Sequence, residues 1–381
     1  MKPFNLLLFL FFAATSLLLL GGCSTLPITG PLPDNLTAEK VASIDEQSPL
    51  AISPDSKVVA LNSSGLKLFH LPTGQQVDVS ARNAHRAAWS PLGYSLAASF
   101  TTGGTSTLVT YDQYGIKVAE AEVEGEITDL AWLSEHELLA ASVTITTYKF
   151  GNNFKTLLHR WLPGRNTPTS TPLRDSTLQS VTVRTWLPLL RRGPMLDISR
   201  TADQILYMHP LDPPVFKPYY KLILRDLTNG KEMEIASLGM TSSGGRFTAD
   251  SELIFYGDGA GKTTVYNPWT DEAVRRFNAA GRTLEISPAG DYSFVDGALY
   301  HGDTRVAMLA PEGVGRFTPD GRQLLVAARN DLYLLKGLQP ANDRLLPVAQ
   351  LEKLLQPRVW RLDNLISAKE YKETLERIKR Q

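Results

Sequence analysis

The sequence predicts an all-β fold, a β-propeller of seven four-stranded blades followed by a short C-terminal α-helical tail. Three observations carry this. A Ser/Thr-Pro-Asp-Gly-like turn recurs along most of the chain, best seen at Thr318, Pro319, Asp320 and Gly321. Each copy is followed by a second hairpin signal, and the copies are spaced by about the roughly 40 residues of one propeller blade.

The chain opens with Lys2 and a Leu/Phe-rich run over residues 4–20, ending in Leu20, Gly21, Gly22 and Cys23. A charged start, an apolar stretch and small residues before a break describe a signal peptide over residues 1–22. The run is marginal for a spanning helix, which needs about 20 apolar residues. Its ending resembles the lipobox of bacterial lipoproteins. That resemblance implies that Cys23, the only cysteine in the chain, is acylated and becomes the new N-terminus. Two or more acyl chains anchor a protein stably to a membrane. Ser24 stands where Asp would retain such a protein at the inner membrane, which points to the periplasmic face of the outer membrane. Pro27, Gly30, Pro31 and Pro33 then mark residues 23–37 as an extended tether. At about 3.3 Å per residue it reaches roughly 45 Å.

A single cysteine forbids an internal disulfide, so stability must come from core burial. With 39 basic and 39 acidic residues the chain carries no formal net charge, which argues against nucleic acid as a partner.

Residues 38–338 carry the repeat. In the turn, Pro presets φ, Asp bonds the backbone two residues on, and Gly accepts positive φ. The copies run through Ile52, Ser53, Pro54, Asp55; Trp89, Ser90, Pro91, Leu92, Gly93; Trp132, Leu133, Ser134; Ile198, Ser199; Phe247, Thr248; and Ile286, Ser287, Pro288, ending at the Thr318 turn. Short apolar runs such as Val58, Val59, Ala60 or Leu324, Leu325, Val326 follow. Second hairpins appear where Leu66, Leu68, Phe69 run into Pro72, Thr73, Gly74, and where Leu222, Ile223, Leu224 run into Asp226, Asn229, Gly230. Apolar alternation bounded by Asn, Asp and Gly indicates strands joined by tight turns. The pattern resembles WD-repeat and related bacterial propellers over about 300 residues. The Trp-Asp ending of true WD repeats is absent, and His85 lies too close to its turn for a Gly-His pair.

Anchor positions 53, 90, 133, 199, 248, 287 and 318 lie 31 to 49 residues apart, with one gap of 66. One blade carrying an insertion fits that gap, with eight blades as the alternative. Val41, Ala42, Ser43 and Ile44 are suited to supply the outer strand that closes the last blade, removing an exposed edge.

Beyond residue 338 the pattern changes. Ser367 with Glu370 forms a capping box, and Tyr371, Leu375 and Ile378 recur at helical spacing. With Leu365 they define a candidate pairing face. The segment within 339–381 resembles the SHOCT module, a short helical pair, with Asn364 where that family usually has Gly. Self-association through these helices is one expectation; a plain amphipathic helix docking back onto the propeller is the alternative.

Catalytic signatures are scarce. Asp258, Gly259, Ala260, Gly261, Lys262 and Thr263 end like a phosphate-binding loop, but Tyr256 stands where the first Gly is needed, so a hairpin turn is expected. The six histidines are scattered without metal-ligand spacing, and no Gly-x-Ser-x-Gly elbow occurs. No metal or cofactor is therefore expected, although distant residues can converge in a propeller channel. The most distinctive surface is the basic insertion at about 150–195, where Arg160, Trp161, Arg165, Trp186, Arg191 and Arg192 form a candidate partner surface. A second candidate is the Pro- and aromatic-rich stretch at 210–220. The expectation is a membrane-tethered, non-catalytic propeller scaffold binding a protein partner in the periplasm. An enzyme or small-ligand sensor using the channel, and a polysaccharide-binding module stacking on Trp161 and Trp186, are the alternatives.

Overall fold

A computed structural model describes residues 31–340, apart from 46–47, 49, 149–150, 179–195, 200–202, 212–218, 240, 249–250, 252 and 312. The leader, the proposed acylation site Cys23, the helical tail with Leu365, Tyr371, Leu375 and Ile378, and Trp186, Arg191 and Arg192 lie outside the described residues.

Seven four-stranded antiparallel sheets form the ring. Blade 1 comprises β2 (Ala51–Ile52), β3 (Val58–Asn62), β4 (Leu66–His70) and β5 (Gln76–Ser80); blade 2 comprises β6 (Arg86–Trp89), β7 (Ser95–Thr102), β8 (Thr105–Asp112) and β9 (Lys117–Glu124). Blade 3 is β10 (Glu126–Ser134), β11 (Glu137–Tyr148), β12 (Gly151–Trp161) and β13 (Thr169–Leu178); blade 4 is β14 (Leu196–Ile198), β15 (Gln204–Leu211), β16 (Tyr219–Asp226) and β17 (Glu232–Leu238). Blade 5 holds β18 (Gly245–Phe247), β19 (Ile254–Gly257), β20 (Thr263–Asn267) and β21 (Glu272–Phe277), and blade 6 holds β22 (Leu284–Ile286), β23 (Tyr292–Val295), β24 (Ala298–His301) and β25 (Thr304–Met308). Blade 7 is completed by the start of the chain: β1 (Thr37–Ser43) pairs with β28 (Asp331–Lys336), outside β27 (Gln323–Ala328) and β26 (Val314–Phe317).

Among the described residues the count is seven, with no eighth blade. The 66-residue spacing is absorbed differently from a simple added loop. Strands β11, β12 and β13 run 12, 11 and 10 residues, so much of the basic stretch is lengthened ladder of blade 3. The closing strand is confirmed and begins earlier than residue 41, with Thr37 opposite Lys336 and Ser43 opposite Asp331.

The repeated turn works through its hydroxyl. In blades 1, 2, 4, 5, 6 and 7 the anchor Oγ accepts the N–H five residues on: Val58 N–H to Ser53 at 2.8 Å, Ser95 to Ser90 at 3.0 Å, Gln204 to Ser199 at 3.0 Å, Leu253 to Thr248 at 3.1 Å, Tyr292 to Ser287 at 3.0 Å and Gln323 to Thr318 at 3.1 Å. In five of these blades the hydroxyl donates to a carboxylate, Asp55, Asp203, Asp291 or Asp320 within the turn, or Glu135 of blade 3 in the case of Ser90, and Thr248 of blade 5 donates to the Leu253 carbonyl at 3.3 Å. Blade 3 has Leu133 at this place, which is why its copy looks worn. Gly93 has φ of 80° and a Cβ there would lie 3.2 Å from Pro54 Cδ; Gly321, at φ 72°, would approach Pro288 to 3.6 Å. The Pro and Gly of the motif thus mesh between neighbouring blades.

Seven apolar clusters hold the ring, each centred on a blade interface. Leu66, Leu96 and Tyr111 join blades 1 and 2, and Leu325, Leu332 and Leu334 of blade 7 meet Val59, Leu61 and Phe69 of blade 1. The first strands of successive blades neighbour one another from β2 through β26 and line the centre.

Replacing Ser90 or Thr318 by Ala removes the hydroxyl that accepts the Ser95 or Gln323 N–H and is expected to cost about 1–3 kcal/mol, read from the denaturant midpoint. No loss at either position would contradict the role given to the anchor hydroxyl.

Candidate functional site

Among the described residues, charge at one repeated position of the inner strands falls in a single arc. The residue two before the anchor is Ala51 in blade 1, Ala88 in blade 2 and Ala131 in blade 3, counting Leu133 as that blade's anchor. In blades 4 to 7 it is Asp197, Arg246, Glu285 and Arg316. Signs alternate around the arc, so each charge meets an opposite one on the next blade. Arg246 Nη1 lies 3.5 Å from Asp197 Oδ1, Arg246 Nε lies 3.7 Å from Glu285 Oε2, and Arg316 pairs with that same oxygen. Asp197 Oδ2 also accepts the Phe247 N–H at 2.6 Å, and Asp129 Oδ2 accepts the Leu196 N–H at 3.4 Å.

Burial pushes the Asp197 carboxyl up to about 6, against the pull of Arg246 and the Phe247 N–H, with Asp129 and Glu285 adding to the rise. Burial opposes the charge on Arg246, yet Glu285, Asp197 and Asp129 hold its pKa above the ordinary value. The Arg246 Nε is buried without a hydrogen-bond partner. Such a network adds little net stability, because desolvation offsets most of the Coulomb gain.

A second polar cluster sits between blades 3 and 4. Glu232 accepts from Arg174 at 2.9 and 3.1 Å, from Arg225 at 3.1 Å and from the Tyr207 hydroxyl at 2.6 Å. Burial lowers His209 to about 4, helped by Arg174, and its Nδ1 lies 3.2 Å from Thr156 Oγ1.

Blade 3 also contains a Ser–His pair. Ser142 Oγ is 2.7 Å from His159 Nε2, and Ser170 Oγ is 2.8 Å from Nδ1. Ser142 donates to the Glu124 carbonyl, so it must accept from Nε2–H. Burial brings His159 down to about 4. Ser142 and His159 are fully buried, which closes the pair to any substrate. Among the described residues no group of three His, Cys, Asp or Glu side chains is placed to hold a metal ion.

Of the residues marked in the basic stretch, Arg160 is exposed and paired with Glu137, at 2.6 Å from Nη2. Arg165 is exposed in the β12–β13 turn. Trp161 is 2% exposed, packs with Leu138 and Ala140, and donates Nε1–H to the Asn166 carbonyl at 3.0 Å. It is core, offering neither a partner nor a sugar a stacking surface, because β12 places it on the side facing blade 2. In the 210–220 stretch, Tyr220 is likewise buried. The phosphate-loop lookalike is a hairpin turn: Asp258 Oδ1 takes the N–H groups of Ala260, Gly261 and Lys262 at 2.7, 2.8 and 2.9 Å. The donors a phosphate would need are already used.

The exposed apolar side chains gather elsewhere. Leu92 and Tyr94, 64% and 61% exposed, sit in the β6–β7 turn of blade 2. Tyr114 and Ile116, at 69% and 65%, sit in its β8–β9 turn. Antiparallel order puts both turns at one end of the blade, and Ser95 opposite Asp112 brings them side by side. A Cβ at Gly115 would lie 2.9 Å from Val79, so this end leans on blade 1, where Val77 is also exposed. Val118 continues the patch along β9, followed by exposed Glu120, Glu122 and Glu124. The chain enters β1 and leaves β28 at this same end of the ring, since Thr37 faces Lys336.

No protein-family model matches the chain, and no curated protein does. Solved structures do match, in 1091 chains, so the likeness does not single out one activity. A Kuenenia stuttgartiensis hydrazine synthase chain superposes with a TM-score of 0.54 at 14% identity, covering 81% of this chain and 97% of that one. The β-propeller domain of Myceliophteria thermophila Cps50 (Swd1) does so at 0.54 and 12% identity, covering 79% and 99%. At such identity the similarity shows the fold alone: the protein is a seven-bladed β-propeller.

Two measurements probe these clusters. Arg246→Met strands Asp197 and Glu285 and is expected to destabilise the ring by about 3–5 kcal/mol; an unchanged denaturant midpoint would remove the arc's structural role. In acid, the two histidines and Asp197 act oppositely. His159 and His209 stay neutral in the fold, so their contribution is present above the unfolded pKa of 6.5 and is lost as pH falls towards 4. Asp197 is raised, so its contribution grows as pH falls below 6 towards 3.8. Between pH 6.5 and 4, His209→Asn should lose less stability than the native protein, by about 2–3 kcal/mol, and Asp197→Asn should lose more. Equal losses in all three would refute both assignments.

Proposed function

We propose that this chain is a membrane-tethered, non-catalytic propeller scaffold that binds a protein partner in the periplasm. The observation that carries the reading is the exposed turn face of blade 2, where Leu92, Tyr94, Tyr114 and Ile116 project from two adjacent turns. Clustered exposed apolar side chains are uncommon on a monomer's surface and mark interaction sites, and Tyr is enriched among interface anchors. The channel gives a second support, since its Arg and carboxylate side chains meet each other around the arc. The Ser142–His159 pair is sealed. Leu20, Gly21, Gly22 and Cys23 favour acylation at Cys23, and Ser24 favours the outer membrane.

Crosslinking and affinity capture from membranes tests the reading. The native chain should retain a defined protein, and Leu92→Ser with Ile116→Ser should weaken that capture by at least about tenfold, as loss of anchor side chains does. Cys23→Ser should release the protein from the membrane fraction while leaving the blade 2 contact intact. A consistently partnerless native monomer, or capture indifferent to the blade 2 changes, would overturn the scaffold reading.

A further inference from the structure

We propose that the chain's own C-terminal tail, residues 362–378, docks in cis on the blade 2 turn face and competes there with the partner. The inference rests on the reading of that face as a binding site, and it adds the site's regulation.

Two features of the molecule lead to it. The first is where the tail starts. Strand β28 ends at the turn-bearing end of the ring, and Pro340 lies against the β26–β27 turn, where a Cβ at Gly321 would be 3.6 Å from its ring. The tail is therefore delivered to the face that carries Leu92, Tyr94, Tyr114 and Ile116. Residues 341–361, at about 3.3 Å each when extended, reach up to roughly 70 Å. A domain of this size has a radius of gyration of only about 19 Å, so blade 2 is well within range.

The second is complementary shape of sequence. Tyr371, Leu375 and Ile378 recur at helical spacing behind the Ser367–Glu370 capping box. A helix of that length cannot bury one apolar stripe alone, and short isolated helices are marginal in water. The blade 2 turns offer an apolar surface of matching character.

The 362–378 segment itself carries three Lys and Arg against four Asp and Glu, so apolar burial rather than charge drives the contact. Tethering raises its effective concentration to the millimolar range, so a weak contact suffices in cis.

Hydrogen–deuterium exchange on the full-length protein tests this. Peptides covering 362–378 should exchange about tenfold more slowly than in a Leu92→Ser, Tyr114→Ser, Ile116→Ser variant, the loss of protection expected when a docked segment opens. Reciprocally, Leu375→Ser with Ile378→Ser should speed exchange across 112–118 and strengthen partner capture. These are exposed or tail positions, so the ring itself should keep its unfolding midpoint. Protection of the tail that grows with protein concentration would point to a second copy instead. Protection seen only with added anionic vesicles would assign the tail to the membrane. Either result, or a tail indifferent to the blade 2 changes, overturns docking in cis. If the tail fails this test while the blade 2 variant still loses its partner, the scaffold reading stands alone.

Discussion

Everything in this ring depends on the pairing of its first strand with its last. Strand β1 lies antiparallel to β28 from Thr37 opposite Lys336 to Ser43 opposite Asp331. Without it, blade 7 would expose a row of unpaired backbone groups, and an open edge is a template for wrong pairing. Side chains reinforce the seam: Lys40 reaches Asp331 at 2.7 Å, and Lys336 reaches Glu39 at 2.5 Å. Such exposed pairs contribute little individually; the ladder and the Leu325–Leu332–Leu334 cluster against blade 1 do the holding. Because loop closure is an entropy cost met once, a contact joining residues almost 300 positions apart makes the seven clusters mutually supportive.

The ring is not equivalent all the way round. Blades 1 to 3 present Ala51, Ala88 and Ala131 at the inner position, with Trp89 Nε1 bonded to the Ala51 carbonyl at 3.0 Å and Trp132 Nε1 to that of Ala88 at 2.9 Å. Blades 4 to 7 present alternating acids and arginines. One half of the channel is thus stitched by indole-to-carbonyl bonds and the other by ion pairs. Both devices link neighbouring blades near the axis, where strands are short and apolar wedges are thin. The charged half is the more sensitive to composition, since removing one member leaves another buried without compensation.

The proposed binding face lies at one end of the ring. The β6–β7 turn of blade 2 departs from the repeat by carrying Leu92 and Tyr94 where blade 1 carries Asp55 and Lys57 and blade 7 carries Asp320 and Arg322, and its β8–β9 turn exposes Tyr114 and Ile116. They are held rigidly despite their exposure: Glu135 of blade 3 accepts from Ser90 Oγ at 2.8 Å and from the Leu92 N–H, and Gly93 meshes with Pro54. A rigid apolar turn loses little entropy on binding, which favours recognition.

The sequence by itself determined the strand-and-turn repeat, the all-β class, seven blades and the closing strand, because turn chemistry and apolar alternation are local. The hairpin turn at Asp258 was legible for the same reason. The charge arc was legible too, had the position two before each anchor been aligned, since Asp197, Arg246, Glu285 and Arg316 alternate in sign. What only tertiary structure decided is which side chains face water. Trp161 and Arg160 are adjacent, yet one is core and one is surface, because successive residues of a strand point to opposite faces and the twist of β12 between its neighbours chose the face. The blade 2 patch had no signature either: its four residues come from two turns separated by the length of β7 and β8, and only the antiparallel return of the chain brings them to one end.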